Sequence, residues 1–151
     1  MVRDLERASS AAEVAFAETT PRHSTGSGQR VLVVDDNHDV AISLAMLLRY
    51  DGYDVEVVHD GPDALHSARL RPPEIVLLDL GMPSMDGFEV CRALRREGSK
   101  AFIVALTGYG EKEDRLRTQE AGFDAHLVKP ALPDEIATLI AKHSDLAARR
   151  T

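Results

Sequence analysis

From Val31 onward the chain alternates short apolar runs with segments of helical period. Val31-Leu32-Val33-Val34, Ile75-Val76-Leu77-Leu78 and Phe102-Ile103-Val104-Ala105-Leu106 are unbroken apolar runs. Such runs fit strands covered on both faces, as in a parallel sheet with helices on either side. Val55-Glu56-Val57-Val58 admits a charge and His126-Leu127-Val128 is short, so both are predicted as edge strands. Between the runs, Val40, Leu44, Leu47 and Leu48 mark one face of a first helix. Phe88, Cys91 and Leu94 do so for a third, and Ile136, Leu139, Ile140 and His143 for a fifth. Asp60-Gly61-Pro62 opens the second helix, with Pro62 suited to a first-turn position. The fourth, near Glu111 to Ala121, is mostly charged, with Leu116 as its clearest apolar anchor. A weakly anchored helix is cheap to displace. Five strand–helix alternations imply a doubly wound α/β sheet with right-handed crossovers.

Residues 1–29 break this pattern. Ser24-Thr25-Gly26-Ser27-Gly28 has the composition of a flexible linker. Ahead of it, Leu5, Ala8, Ala12, Ala15 and Phe16 sit near helical spacing, but alanine buries little surface. Short isolated helices are marginal, so a frayed tail is expected there rather than a contact helix. The expected organisation is a tail over 1–29, one folded unit over 30–148 and a short tail over 149–151.

Composition narrows the class. At 151 residues, 44% hydrophobic and 28% charged, the chain suits one soluble domain with a sizeable core. No apolar run approaches the roughly 20 residues that cross a bilayer, and the N-terminus lacks the apolar core of a secretory signal. The single cysteine, Cys91, excludes an internal disulfide and any cysteine-based metal cluster, and is expected to pack the third helix. A cytoplasmic protein without membrane insertion is expected. The net charge of −7 and pI near 5.3 argue against non-specific attraction to nucleic acid.

The candidate chemistry converges on one edge of the sheet. In an open parallel sheet, ligands bind beyond the carboxyl ends of the strands. Asp35 and Asp36 follow the first strand, Asp79 the third, Thr107 the fourth, and Lys129-Pro130 the fifth. Three grouped carboxylates repel one another unless a cation joins them. Oxygen-only ligands favour Mg²⁺, which also takes phosphoryl oxygens. An aspartate beside Mg²⁺ can attack phosphorus and form an acyl phosphate. Lysine, hydroxyl and metal are the positioning and electrostatic parts of phosphoryl transfer.

Val31–Asp36, Leu77-Leu78-Asp79-Leu80-Gly81-Met82-Pro83, Asp86-Gly87, Ala105-Leu106-Thr107-Gly108 and Leu127-Val128-Lys129-Pro130 together resemble the receiver domains of response regulators. The resemblance covers about residues 30 to 148 and implies a flavodoxin-like five-stranded sheet of order 2-1-3-4-5 with helices on both faces. It implies Asp79 as phosphoacceptor, with Asp35, Asp36, Asp79 and the Gly81 carbonyl holding Mg²⁺. It also implies Thr107 as the switch hydroxyl and Lys129 as the partner of the phosphoryl group. The family usually carries Tyr or Phe three residues before the lysine, where this chain has His126. Tyr109 and Gly81 sit where the family tunes phosphoryl lifetime.

Several of these residues also have plainer readings. Asp35 and Asp36 can cap the first helix, but Asn37 or Asp39 can do so instead. Lys129-Pro130 can form a turn with a cis bond. His126 reads as an edge-strand histidine, and His23, His38, His59, His66 and His143 show no metal-ligand spacing with one another. A phosphatase with an aspartyl-phosphate intermediate is similar to haloacid dehalogenases, which need a second Asp where this chain has Gly81. An unphosphorylated interaction module is expected to have lost an acidic or lysine position. Because the chain stops at Thr151, a helix-turn-helix domain is not expected, nor nucleic acid among the partners. The expected function is thus a phosphorylation-driven signalling switch, catalysing only its own phosphorylation and dephosphorylation. Its expected partners are a sensor histidine kinase or histidine phosphotransfer protein and a downstream protein target. Met1 reads as the start of a stand-alone, chemotaxis-type regulator. The alternative is the receiver of a hybrid sensor kinase, which Leu106–Gly110 and Glu120–Asp124 resemble.

Overall fold

Apolar runs at Arg30–Val34 (β1), Ile75–Asp79 (β3) and Phe102–Thr107 (β4) form the middle of a parallel sheet in the computed structural model, which describes residues 28–108 and 115–150. Asp54–Val58 (β2) and Ala125–Val128 (β5) lie at its edges, as their charge and brevity predict. The order is β2-β1-β3-β4-β5, the one the resemblance implies. Among the described residues four helices connect the strands, His38–Tyr50 (α1), Gly61–Leu70 (α2), Gly87–Arg96 (α3) and Arg115–Ala121 (α4), and a fifth, Pro133–Arg150 (α5), follows β5. The linker at 24–27, the Leu5–Ala17 segment, Tyr109 and the predicted start of α4 at Glu111 lie outside the described residues.

Strand alternation divides the core in two. Val31, Val33, Leu77, Val104 and Leu106 pack with Leu44, Leu48, Ile136 and Ile140 of α1 and α5. Leu32, Val34, Val76, Leu78, Ile103 and Ala105 pack with Phe88, Cys91 and Leu94 of α3. Fully burying each such aliphatic side chain is worth about 1.5–3 kcal/mol, so the central strands hold most of the fold. α3 buries the face its spacing predicts.

Two predicted faces are corrected. α1 buries Ala41, Leu44, Ala45 and Leu48, while Val40 and Leu47 are exposed, Leu47 at 51%. The stripe lies one step round the helix because the small alanines let it approach the sheet closely. In α4, Leu116 is 63% exposed and the buried positions are Thr118 and Ala121. On α5, Ile136 and Ile140 anchor the helix, and the His143 ring stacks on Phe102 at 4.3 Å.

Local chemistry sets the helix starts. Asn37 caps α1, its Oδ1 accepting from the Val40 N–H, so Asp35 and Asp36 are not the caps. Asp60 caps α2 with Pro62 in the first turn. Asp86 and Glu89 form a reciprocal capping box on α3.

Candidate phosphoacceptor site

Register brings the acidic residues together. β1 pairs Val34 with Leu78 of β3 and with Val58 of β2, so Asp35, Asp79 and His59 emerge side by side at the carboxyl edge. β3 pairs Asp79 with Leu106, and β4 pairs Thr107 with Val128, which delivers Lys129 one step further. The Lys129 N–H donates to the Thr107 carbonyl at 2.7 Å, and Lys129-Pro130 is cis. By alternation Asp35, Asp79 and Lys129 continue the sets of Val33, Leu77 and Leu127, all on the α1/α5 side of the sheet.

One oxygen from each of Asp35, Asp36 and Asp79 lies within 4.8 Å of the others. Lys129 Nζ stands 3.1 Å from Asp35 Oδ2 and 3.4 Å from Asp79 Oδ1. Asp35 is 1% exposed and Asp79 is buried, whereas Asp36 is open to solvent. The Gly81 N–H donates to Asp79 Oδ1 at 3.0 Å, and the Asn37 N–H to Asp35 Oδ1 at 2.9 Å. Burial pushes the Asp79 carboxyl above the usual range. The Gly81 N–H opposes that rise, the Asp35 charge adds to it, and Lys129 opposes it. Burial draws the Lys129 ammonium down, but its hydrogen bond to Asp35 and the charges of Asp79 and Asp35 outweigh this and raise it. Lys129 therefore stays charged, while Asp79 resists ionising without further positive charge.

Gly87 makes room for this geometry. A Cβ on it would meet the Asp79 carbonyl at 2.5 Å and Leu80 Cα at 2.8 Å. Thr107 is buried, and its hydroxyl donates to the Leu127 carbonyl at 3.4 Å. His126 is half-buried on β5. The structure also joins two histidines that sequence spacing did not connect: His38 and His59 stack at 3.6 Å, and His59 Nδ1 lies 3.0 Å from the Asp35 carbonyl. The available signal was His59's place directly after β2, on the same edge as the acids.

Residues 31–141 match the family model of the response regulator receiver domain. The chain belongs to the receiver domain family. Receiver domains are phosphorylation-activated signalling switches of two-component systems rather than conventional enzymes, and typically hold Mg²⁺ in an acidic pocket. The oxygen-only carboxylate group fits such a hard cation.

This receiver domain is 41% identical over 112 residues to "DNA-binding response regulator MtrA" of Mycobacterium tuberculosis, covering 74% of this chain and 49% of that protein. It is 41% identical over 107 residues to "Response regulator MprA" of Mycobacterium avium, covering 71% and 47%. Among solved structures it resembles chemotaxis protein CheY4 of Vibrio cholerae, with TM-score 0.71, 29% identity and 76% and 98% of the two chains covered. A CheY-like receiver domain of Methanospirillum hungatei gives TM-score 0.73 at 25% identity, covering 82% and 99%.

The MtrA name corrects one expectation. Absence of nucleic acid was read from the net charge and from the end of the chain at Thr151, yet relatives of this receiver are DNA-binding response regulators. The chain spans about half the length of the curated relatives it matches. The charge of one surface governs attraction to that surface alone, and says nothing of the other half of a longer protein. Among the described residues, no helix is long and apolar enough to cross a membrane.

Proposed function

We propose that this receiver accepts a phosphoryl group on Asp79 from a phosphohistidine of a sensor histidine kinase or histidine phosphotransfer protein. The reaction requires Mg²⁺, takes place in the cytoplasm, and signals through contacts with a downstream protein target. The observation that carries this reading is the convergence of Asp35, Asp36 and Asp79 within 4.8 Å, with Lys129 against two of them.

Asp35, Asp36, Asp79 and the Gly81 carbonyl would hold Mg²⁺. When bound, the cation neutralises the carboxylates and the phosphoryl oxygens. The Gly81 N–H and Lys129 hold Asp79 Oδ1, which leaves Oδ2 as the nucleophile. As the Asp79 oxygen bonds phosphorus, the P–N bond breaks and the donor imidazole leaves with the electron pair. Lys129 then moves its charge from the carboxylates to a phosphoryl oxygen. The Thr107 hydroxyl gives up the long 3.4 Å bond to Leu127 and donates to another. Only the phosphorylated state offers Thr107 that acceptor, so phosphorylation shifts the population toward the inward conformer.

Surface chemistry supports both protein partners. Exposed Val40, Leu47 and Leu132 line a groove that ends at Lys129, beside the phosphoacceptor. Leu116 of α4 and Val128 of β5 are also exposed. Over Arg115–Ala121 the buried side chains of this helix are Thr118 and Ala121, and Arg117 stacks on the Phe88 ring at 3.8 Å.

The test is intact-mass spectrometry after incubation with acetyl phosphate and Mg²⁺. One phosphoryl adduct on the wild type, absent without Mg²⁺ and absent in Asp79→Asn, is expected. No adduct from wild type with acetyl phosphate or phosphoramidate, together with no beryllofluoride binding, makes the protein an unphosphorylated interaction module.

A further inference from the structure

The loop Asp35-Asp36-Asn37 carries two of the three clustered carboxylates and joins β1 to α1. With Lys129 as the cation beside them, mutual repulsion tends to splay it, and Asp36, exposed to solvent, has the most freedom to leave. Two side chains oppose that motion, and neither belongs to the acidic cluster. His59, directly after β2, lies with Nδ1 3.0 Å from the Asp35 carbonyl oxygen. A carbonyl only accepts, so Nδ1 carries the proton in this contact. Through its face the His59 ring stacks on His38, the first residue of α1, at 3.6 Å between centroids and 7° between planes.

The consequence is a closed bracket. The Asp35 N–H already donates to the Val58 carbonyl at 3.2 Å, so the end of β2 holds both backbone polar atoms of Asp35. The stack then fixes the far end of the loop to the same place. Parallel rings direct their nitrogens along separate planes instead of toward a common point. The pair therefore acts as a clamp and not as two ligands for one ion.

We infer that the His59 hydrogen bond to the Asp35 carbonyl, steadied by the stack on His38, preorganises the acidic loop for Mg²⁺, with His59 as a positioning residue for Asp35 and Asp36. This rests on the reading of the carboxylates as the Mg²⁺ site. Ligands already held together lose less freedom when the cation binds, so the clamp acts on affinity. Once Mg²⁺ saturates the site, the cation itself holds the carboxylates and the clamp has little more to contribute.

The experiment measures Mg²⁺ affinity by calorimetry on the full chain. It also measures metal-free melting temperature, and the phosphorylation rate with phosphoramidate at saturating Mg²⁺. His59→Phe keeps a ring for the stack and loses the donor to Asp35. His59→Asn keeps a donor and loses most of the stack. His38→Ala, at an exposed helix start, removes the stacking partner while leaving the buried core intact. His59→Phe is expected to weaken Mg²⁺ about 10-fold, as loss of an outer-shell support commonly does. His59→Asn should recover most of that loss, His38→Ala should lose a smaller factor, and all should keep the wild-type rate at saturation. Unchanged Mg²⁺ affinity in both His59→Phe and His38→Ala overturns the inference. So does an affinity loss that follows melting temperature and is not recovered by His59→Asn. A wild type that binds no Mg²⁺ removes the metal-site reading and this inference together, whereas tight wild-type binding with indifferent variants removes the inference alone.

Discussion

Two clusters of charge sit at opposite ends of the same sheet. At the amino edge, Arg95 of α3 donates to the carbonyls of Ser99, Ala101 and Gly122, and to Asp124 Oδ2 at 2.8 Å. Asp124 also accepts from the Ile103 N–H. Gly122, at φ +108°, lets the backbone pass within reach of Arg95, where a Cβ would meet its Cγ at 2.8 Å. One cation meets one carboxylate there, and the remaining donors find carbonyls. At the carboxyl edge, three carboxylates cluster, Lys129 pairs with two of them, and burial already raises Asp79. The first cluster is balanced and ties α3, β4 and the turn into β5. The second is short of positive charge, which is a poor structural joint and a good receptor for a cation and a phosphoryl group. Charge balance, more than charge density, separates the part that holds from the part that switches.

The comparison breaks most completely at Asp79. Asp79→Asn keeps the shape, loses the nucleophile, and is expected to abolish the phosphoryl adduct seen by intact mass. Arg95→Met should have the largest cost to stability, about 3 kcal/mol by urea unfolding, because it strands carbonyls and Asp124 together. The folded fraction of that variant should still accept phosphate, since its damage lies at the far edge. Lys129→Met should cost about 2 kcal/mol without metal, since Asp35 and Asp79 then lack their cation. Added Mg²⁺ should return much of that loss in a thermal melt, which no addition should do for Arg95→Met.

Titration sharpens the same contrast. The folded pKa of Asp79 lies above its unfolded value, so the folded protein binds that proton more tightly. Its contribution to metal-free stability is full below the ordinary carboxylate value and is lost as pH rises through the raised pKa. Lys129, also raised, contributes fully below the ordinary lysine value and loses its contribution as pH climbs through its own. Metal-free unfolding measured across the acid range should therefore flatten in Asp79→Asn, and Mg²⁺ affinity should fall on acidification as protons compete for Asp79. The smallest effect is expected at Leu116→Ala, within about 0.5 kcal/mol, since that side chain is 63% exposed.

Much of this was legible in the chain. Unbroken apolar runs located the central strands and the charge in Val55-Glu56 marked an edge, because burial on one face or two leaves its trace residue by residue. The same strand ends named Asp35, Asp36, Asp79, Thr107 and Lys129, and the structure brings the three aspartates and the lysine together. The motifs around them identified the family that the comparisons show.

Other features depended on how distant segments meet. Periodicity located α1 but chose the wrong edge of its stripe, since Ala41 and Ala45 count for little in a hydrophobic pattern and for much in a close approach. Leu116 looked like an anchor because a leucine in a charged helix has few rivals, yet Thr118 and Ala121 are the residues that face inward. The stacking of His38 on His59 and the donors around Arg95 join positions far apart in sequence. Local pattern, being a record of burial along one element, determined the strands, their place in the middle or at the edge of the sheet and the residues at their ends. Only the tertiary structure decided which side chains meet, because sheet register and helix approach are set by the packing of every element against its neighbours.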